Sequence, residues 1–233
     1  MVKRALAVAL AALAAGGAAG GAPAYAPCSG APDLAFRAAD GTKLVGHRWG
    51  NGTTFVVLAH QYGGDTCQWA PYAKRLASLG YTALAFDLRG FGRSQKRYGD
   101  ALIRYDRDVV AAAKLARSLG ARKVLLVGAS LGANAVLVAA TQVAPPVAGV
   151  VSLSAPSTFR LDAVASAKKL RVPVLYMAGS YDATYKDEAL AMFRATGSAD
   201  KATAFNQTAE HGVALVSHPG RMRNLVERFL ASR

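Results

Sequence analysis

The chain has 233 residues, of which 52% are hydrophobic and 18% charged, enough apolar material for a packed core and too much for a disordered polymer. Its 28 Lys and Arg against 14 Asp and Glu give a formal net charge of +14. The basic residues gather only at Lys168-Lys169-Arg171 and Arg221-Arg223, without a long run or interleaved aromatics, which argues against nucleic acid as a partner. That charge fits attraction of an exported protein to an anionic cell-envelope surface, or simply a well-solvated exterior.

Residues 1–26 read as a secretory signal peptide. Lys3 and Arg4 precede an apolar stretch from Ala5 to Ala15, and small residues then run to Ala24-Tyr25-Ala26. Pro27 disfavours cleavage directly after Ala26, so processing near Ala22 or Ala24 stays open. The apolar stretch is too short to span a bilayer, and Tyr25-Ala26-Pro27 ahead of Cys28 is not a lipobox. The mature chain is therefore expected to carry no transmembrane segment and to be secreted, or held in the periplasm or cell envelope. Cys28 and Cys67 are the only cysteines. An oxidising compartment would join them in a disulfide, two free thiols being the alternative.

From residue 27 to 233 no Pro/Ser/Gly linker interrupts the pattern, which reads as one domain. Leu44–Trp49 and Thr53–Ala59 predict a hairpin across Gly50-Asn51-Gly52. A helix follows over Pro71–Leu79, then a buried strand over Thr82–Phe86. Leu102, Tyr105, Val109, Ala112 and Ala116 have helical spacing within Ala101–Leu119, and Gly120 stands just beyond that helix. Val124–Val127, Val147–Leu153 and Val172–Ala178 predict buried strands. A helix near Asp187–Ala195, a weak strand at Ala202–Phe205 and a helix from about Arg221 to Leu230 complete the chain. Continuous apolar strands separated by helices predict an α/β fold, a mostly parallel sheet covered on both faces. Ligands of such sheets sit at the carboxyl ends of the strands.

One of those ends carries the chemistry. The run Val124–Val127 stops at Gly128-Ala129-Ser130-Leu131-Gly132, a G-x-S-x-G turn that would expose the Ser130 hydroxyl above the sheet at the start of a helix. A dinucleotide-binding turn needs glycine where Ser130 stands, so that reading fails. After the Val172–Ala178 strand comes Gly179-Ser180-Tyr181-Asp182, and farther on Glu210-His211-Gly212 supplies a loop histidine. A serine hydroxyl needs a base to take its proton. His211 can take and return it, and Asp182 can fix the imidazole tautomer. His218, Asp162 and Asp187 are rivals, each next to a predicted helix start. The oxyanion donors are expected to be the Leu131 and Gln61 backbone N–H groups, with His60 orienting the loop.

These segments resemble the α/β-hydrolase superfamily over nearly all of residues 34–231. The resemblance rests on His60-Gln61-Tyr62-Gly63-Gly64, on Phe86-Asp87-Leu88-Arg89-Gly90-Phe91-Gly92-Arg93-Ser94, on Gly128–Gly132, and on Ser130, Asp182 and His211 in that order. It implies the α/β-hydrolase fold and a Ser-Asp-His triad, with Asp87 and Ser94 shaping a loop. Many relatives carry His-Gly after the third strand where this chain has His60-Gln61. The Gln61 side chain is therefore expected either to narrow the oxyanion loop or to point away from it.

Only residues 154–171 separate the sixth and seventh strands, too few for a multi-helix lid, so an open site is expected. Tyr62, Trp69 and Tyr181 are expected to line the mouth, and Phe159 and Tyr185 lie on neighbouring segments. No cofactor is implied: there is no H-E-x-x-H, cysteine cluster or Walker loop. The sequence thus predicts a secreted serine hydrolase acting on a small or polymer-linked carboxylic ester through acyl-Ser130. An amidase or peptidase with the same triad, and a non-catalytic envelope-binding protein on the same fold, are the alternatives.

Overall fold

The uninterrupted apolar runs of the sequence become the interior of one sheet. The computed structural model describes Cys28 and residues 33–233, so the expected signal peptide lies outside the described residues. The strands are β1 (Asp33–Arg37), β2 (Lys43–Trp49), β3 (Thr54–Ala59), β4 (Thr82–Phe86), β5 (Lys123–Ala129), β6 (Gly149–Leu153), β7 (Val174–Gly179) and β8 (Lys201–Asn206). They lie in the order β1-β2-β4-β3-β5-β6-β7-β8. All pairs from β4 through β8 are parallel, whereas β2 runs antiparallel to both β1 and β4.

This order corrects the hairpin expected between the second and third strands, because β4 lies between them. The glycines of Gly50-Asn51-Gly52 serve another purpose. A side chain on Gly50 or Gly52 would strike the carbonyl oxygens of Tyr81 and Gly80, where the chain enters β4. Thr82 Oγ1 donates to Gly52 O at 2.7 Å, so the connection crosses tightly over the start of β4 instead of reversing beside it. The short edge strand β1, missed by periodicity, pairs with β2 from Asp33↔His47 to Arg37↔Lys43.

Helices α1 (Ala70–Ser78), α2 (Tyr105–Ser118), α3 (Leu131–Ala140), α4 (Ala163–Ala167), α5 (Tyr185–Ala195), α6 (Ala214–Ser217) and α7 (Arg221–Ala231) cover the two faces. Alternation along the strands divides the core. Val57, Leu84 and Leu126 pack with α2, α3, α4 and α5. Val56, Leu58, Leu125 and Val127 pack with α1, α6 and α7. The helix expected over Ala101–Leu119 is divided: a 3-10 turn (Gly99–Ile103) precedes α2, and Arg104 between them leaves helical geometry at φ −82°, ψ 51°. Between β6 and β7 the only helix is the five-residue α4. None of the helices described is long and apolar enough to cross a membrane.

Candidate active site

Parallel strands deliver their carboxyl ends to one edge of the sheet, and Ser130, Asp182 and His211 follow β5, β7 and β8 there. Ser130 sits at φ 49°, ψ −114°, a backbone conformation disfavoured for a side-chain-bearing residue. The sharp turn requires its glycines. A Cβ on Gly132 would collide with the carbonyl oxygens of Ala59 and His60, so α3 can start hard against the end of β3 only with glycine there. That contact brings the serine turn beside the loop bearing Gln61. Leu131 opens α3, whose first N–H groups lack intrahelical acceptors and point to the same edge.

Asp182 and His211 meet as the sequence expected. His211 Nδ1 lies 2.9 and 3.0 Å from the two Asp182 carboxylate oxygens, an arrangement in which Nδ1–H donates and Nε2 faces away. The Asp182 side chain is 8% exposed and that of His211 30% exposed, so the carboxylate is shielded while the ring remains accessible. No hydrogen bond joins Ser130 Oγ to His211 among the described residues. Tyr185, at the start of α5, packs against the His211 ring. Its ring centroid lies 4.5 Å from that of His211. Burial pushes the Tyr185 phenol up, and the charges of Asp182 and Glu188 add to the rise. The sequence placed Tyr185 near the mouth only; no spacing rule signals a ring that packs on His211.

The histidine loop is tied down from two sides. Gly212 N–H donates to Ser154 Oγ at 3.1 Å, and Val213 N–H donates to Gln61 Oε1 at 3.1 Å. The Gln61 side chain therefore points out of the loop after β3 and fastens that loop to the segment bearing His211. Ser154, directly after β6 at φ 51°, was invisible as a site residue because nothing in the sequence marks a hydroxyl that holds a neighbouring loop.

His60 orients its loop. It is fully buried, its Nδ1–H faces Gln61 O at 2.8 Å, and its Nε2 accepts the Leu88 N–H at 3.0 Å. Asp87 and Ser94 shape the loop after β4. Asp87 accepts from Thr66 N–H, Thr66 Oγ1 and Arg93 N–H, while Ser94 Oγ donates to Asp87 O. Of the rivals, Asp162 caps α4 by accepting the Ala165 N–H at 2.8 Å, and His218 ends α6. Cys28 and Cys67 form a disulfide, which fastens the start of the described chain four residues after Gly63.

Aromatic side chains border the edge unevenly. Tyr62 and Tyr181 are 65% and 67% exposed, and Phe159 is 40% exposed. Tyr62 meets Phe91 and Phe159 edge to face, with centroids 5.5 and 6.4 Å apart. Trp69 is a correction: it is fully buried beneath α1 against Tyr72 and takes no part in the mouth. Its place at the end of a 3-10 turn (Thr66–Trp69) directs the indole into the core. Asn134 of α3 anchors the Phe159 loop by donating to Pro156 O and Leu161 O, both at 2.9 Å. Among the described residues no group of three or more His, Cys, Asp or Glu side chains is gathered to hold a metal.

A family model described as alpha/beta hydrolase fold matches residues 54–232. The chain belongs to the α/β-hydrolase family. Solved structures similar to this hydrolase include a Pyrococcus furiosus esterase, Pf2001, at 18% identity and TM-score 0.75, covering 87% of this chain and 92% of that one. The esterase RhEst1 from a Rhodococcus species matches at 20% identity and TM-score 0.70, over 86% and 98% of the two chains. A Paleococcus ferrophilus monoacylglycerol lipase matches at 19% identity and TM-score 0.67, over 82% and 99%. At these identities the likeness is one of fold.

Proposed function

We propose that this hydrolase is an exported serine esterase with Ser130 as nucleophile, His211 as base and Asp182 as its orienting carboxylate. The observation that carries the proposal is the Asp182–His211 pair, 2.9 Å apart, held on loops beside a serine at φ 49°. On this reading His211 Nε2 takes the Ser130 proton as Oγ attacks the ester carbonyl carbon. The N–H groups of Leu131 and Gln61 receive the oxyanion. When the tetrahedral species collapses, the alkoxide leaves with the proton from His211 and the acyl group remains on Ser130. Water, deprotonated by His211, then releases the acid. Asp182 stabilises the imidazolium at both stages.

Tyr62, Phe159 and Tyr181 form an open aromatic border suited to an aliphatic or aromatic acyl group, including one attached to a polymer. The signal-like residues 1–26 and the Cys28–Cys67 bond support an oxidising, extracytoplasmic location. With Lys3 and Arg4 removed from the chain's +14, the mature net charge of +12 supports contact with an anionic envelope surface. Turnover of matched esters and anilides by the mature protein tests the proposal. Ester hydrolysis abolished in Ser130→Ala supports it, and hydrolysis that survives in that variant overturns it.

A further inference from the structure

A groove lined by β1 and α2 lies away from Ser130. It measures about 790 Å³ between the end of β1 and the outer face of α2, a volume typical of small-molecule sites. Its apolar surface comes from Phe36 on β1 and from Val110, Ala111 and Leu115 on α2. Arg107, Ala111, Leu115 and Ser118 recur at four- and three-residue steps, so one stripe of α2 lines the groove along its length.

The charge around that apolar surface is one-sided. Arg37, Arg104, Arg107 and Lys114 line the groove, against a single lining carboxylate, Asp40. Asp40 is already committed. It accepts from the buried Arg89 at 2.8 Å, whereas Arg107 reaches the same oxygen only at 3.5 Å. Burial opposes ionisation of Asp40, but hydrogen bonds from Thr42 and Arg89 outweigh it and hold its pKa below the usual range. Arg104 is matched by Asp106 at 2.8 Å. Among the described residues the Arg37 side chain donates to Gly41 O alone, and the exposed Lys114 has no carboxylate ion-paired with it. Positive charge is left over where the apolar surface meets water.

We propose that this groove is a second ligand site, taking a single-chain anionic amphiphile, a free fatty-acid anion. The chain lies on Phe36, Val110 and Leu115, and the carboxylate is held by Lys114 and Arg107. A neutral lipid leaves the cations unused, and a small inorganic anion leaves the apolar surface bare. The site does not depend on the reading of Ser130. It is nonetheless suited to the acid released from an aliphatic ester.

Calorimetric titration of dodecanoate, below its micellar concentration, into the mature protein tests this. Wild type and a sample whose Ser130 is blocked by a fluorophosphonate should both show one saturable site. Lys114→Glu and Val110→Asp should each weaken binding at least tenfold, with thermal midpoint and short-ester turnover unchanged, and dodecanol should bind at least tenfold more weakly. Arg37→Glu serves as an independent charge reversal should Val110→Asp fail to fold. Three results overturn the proposal: no saturable binding, binding indifferent to Lys114→Glu and Arg37→Glu, or binding lost when Ser130 is blocked. Lys114-dependent binding to anionic vesicles without dodecanoate binding would overturn it too, assigning the patch to a membrane surface. The hydrolase reading stands or falls separately, on Ser130.

Discussion

The two sides of Ser130 are built differently. On one, Asp182, His211, Ser154 and the Gln61 side chain are joined across loops from four different strands, each by hydrogen bonds between 2.9 and 3.1 Å. On the other, Tyr62, Phe159 and Tyr181 stand largely in water, and ring edges supply the contacts between Tyr62 and Phe159. The polar side is over-determined: each group is fixed by a partner that has itself been fixed. The aromatic side is loosely held, so its side chains can turn to suit a ligand. On the proposed reading, the chemistry that needs sub-ångström placement sits on the first side, and choice of acyl group is left to the second.

Substitutions on the polar side should therefore dominate. Ser130→Ala and His211→Ala should each lower kcat about 10⁴–10⁶-fold, read from steady-state ester hydrolysis. Asp182→Asn, which keeps the shape but presents the wrong hydrogen-bonding partner, should cost about 10⁴-fold. Equal losses from substitutions on the aromatic side would erase the distinction.

The Cys28–Cys67 bond adds stability next to the oxyanion loop without touching the reacting groups. Replacing both cysteines by Ser should cost about 4 kcal/mol of unfolding free energy, from closure of a 39-residue separation, as measured by denaturant titration. Gln61→Ala frees both the oxyanion loop and the His211 loop. It should lower kcat about 10- to 100-fold with little change in KM, because the misplacement is of catalytic groups. The smallest effects belong to Tyr62→Ala and Phe159→Ala, which should raise KM for bulky esters a few-fold and leave kcat for acetyl esters alone.

Legibility in the sequence followed the same division. The G-x-S-x-G turn, Asp182 on a strand-end loop and His211 beyond the last strand were readable, because each sits at a position fixed by chain order and apolar periodicity. The strands from β3 to β7 were readable for the same reason, being continuous apolar runs, whereas β8, Lys-Ala-Thr-Ala-Phe-Asn, gave only a weak signal. Sheet order near the amino-terminal edge was not. Gly50-Asn51-Gly52 carries the same signal whether a chain reverses or crosses closely over a neighbour, and only the carbonyls of Gly80 and Tyr81 distinguish the two. Trp69 looked like a mouth residue because it follows the oxyanion loop, yet one 3-10 turn rotates it into the core. The roles of Ser154, Gln61 Oε1 and Tyr185 depend on contacts between residues 26 to 152 positions apart, for which a single sequence holds no local pattern.

The central claim is that Ser130 is an activated nucleophile, and labelling the mature protein with a fluorophosphonate probe tests it most directly, with the adduct mapped by mass spectrometry. The account predicts a single adduct on Ser130 that disappears in Ser130→Ala and in His211→Ala. Folded wild-type protein that takes no label, or a label that persists in His211→Ala, would contradict it.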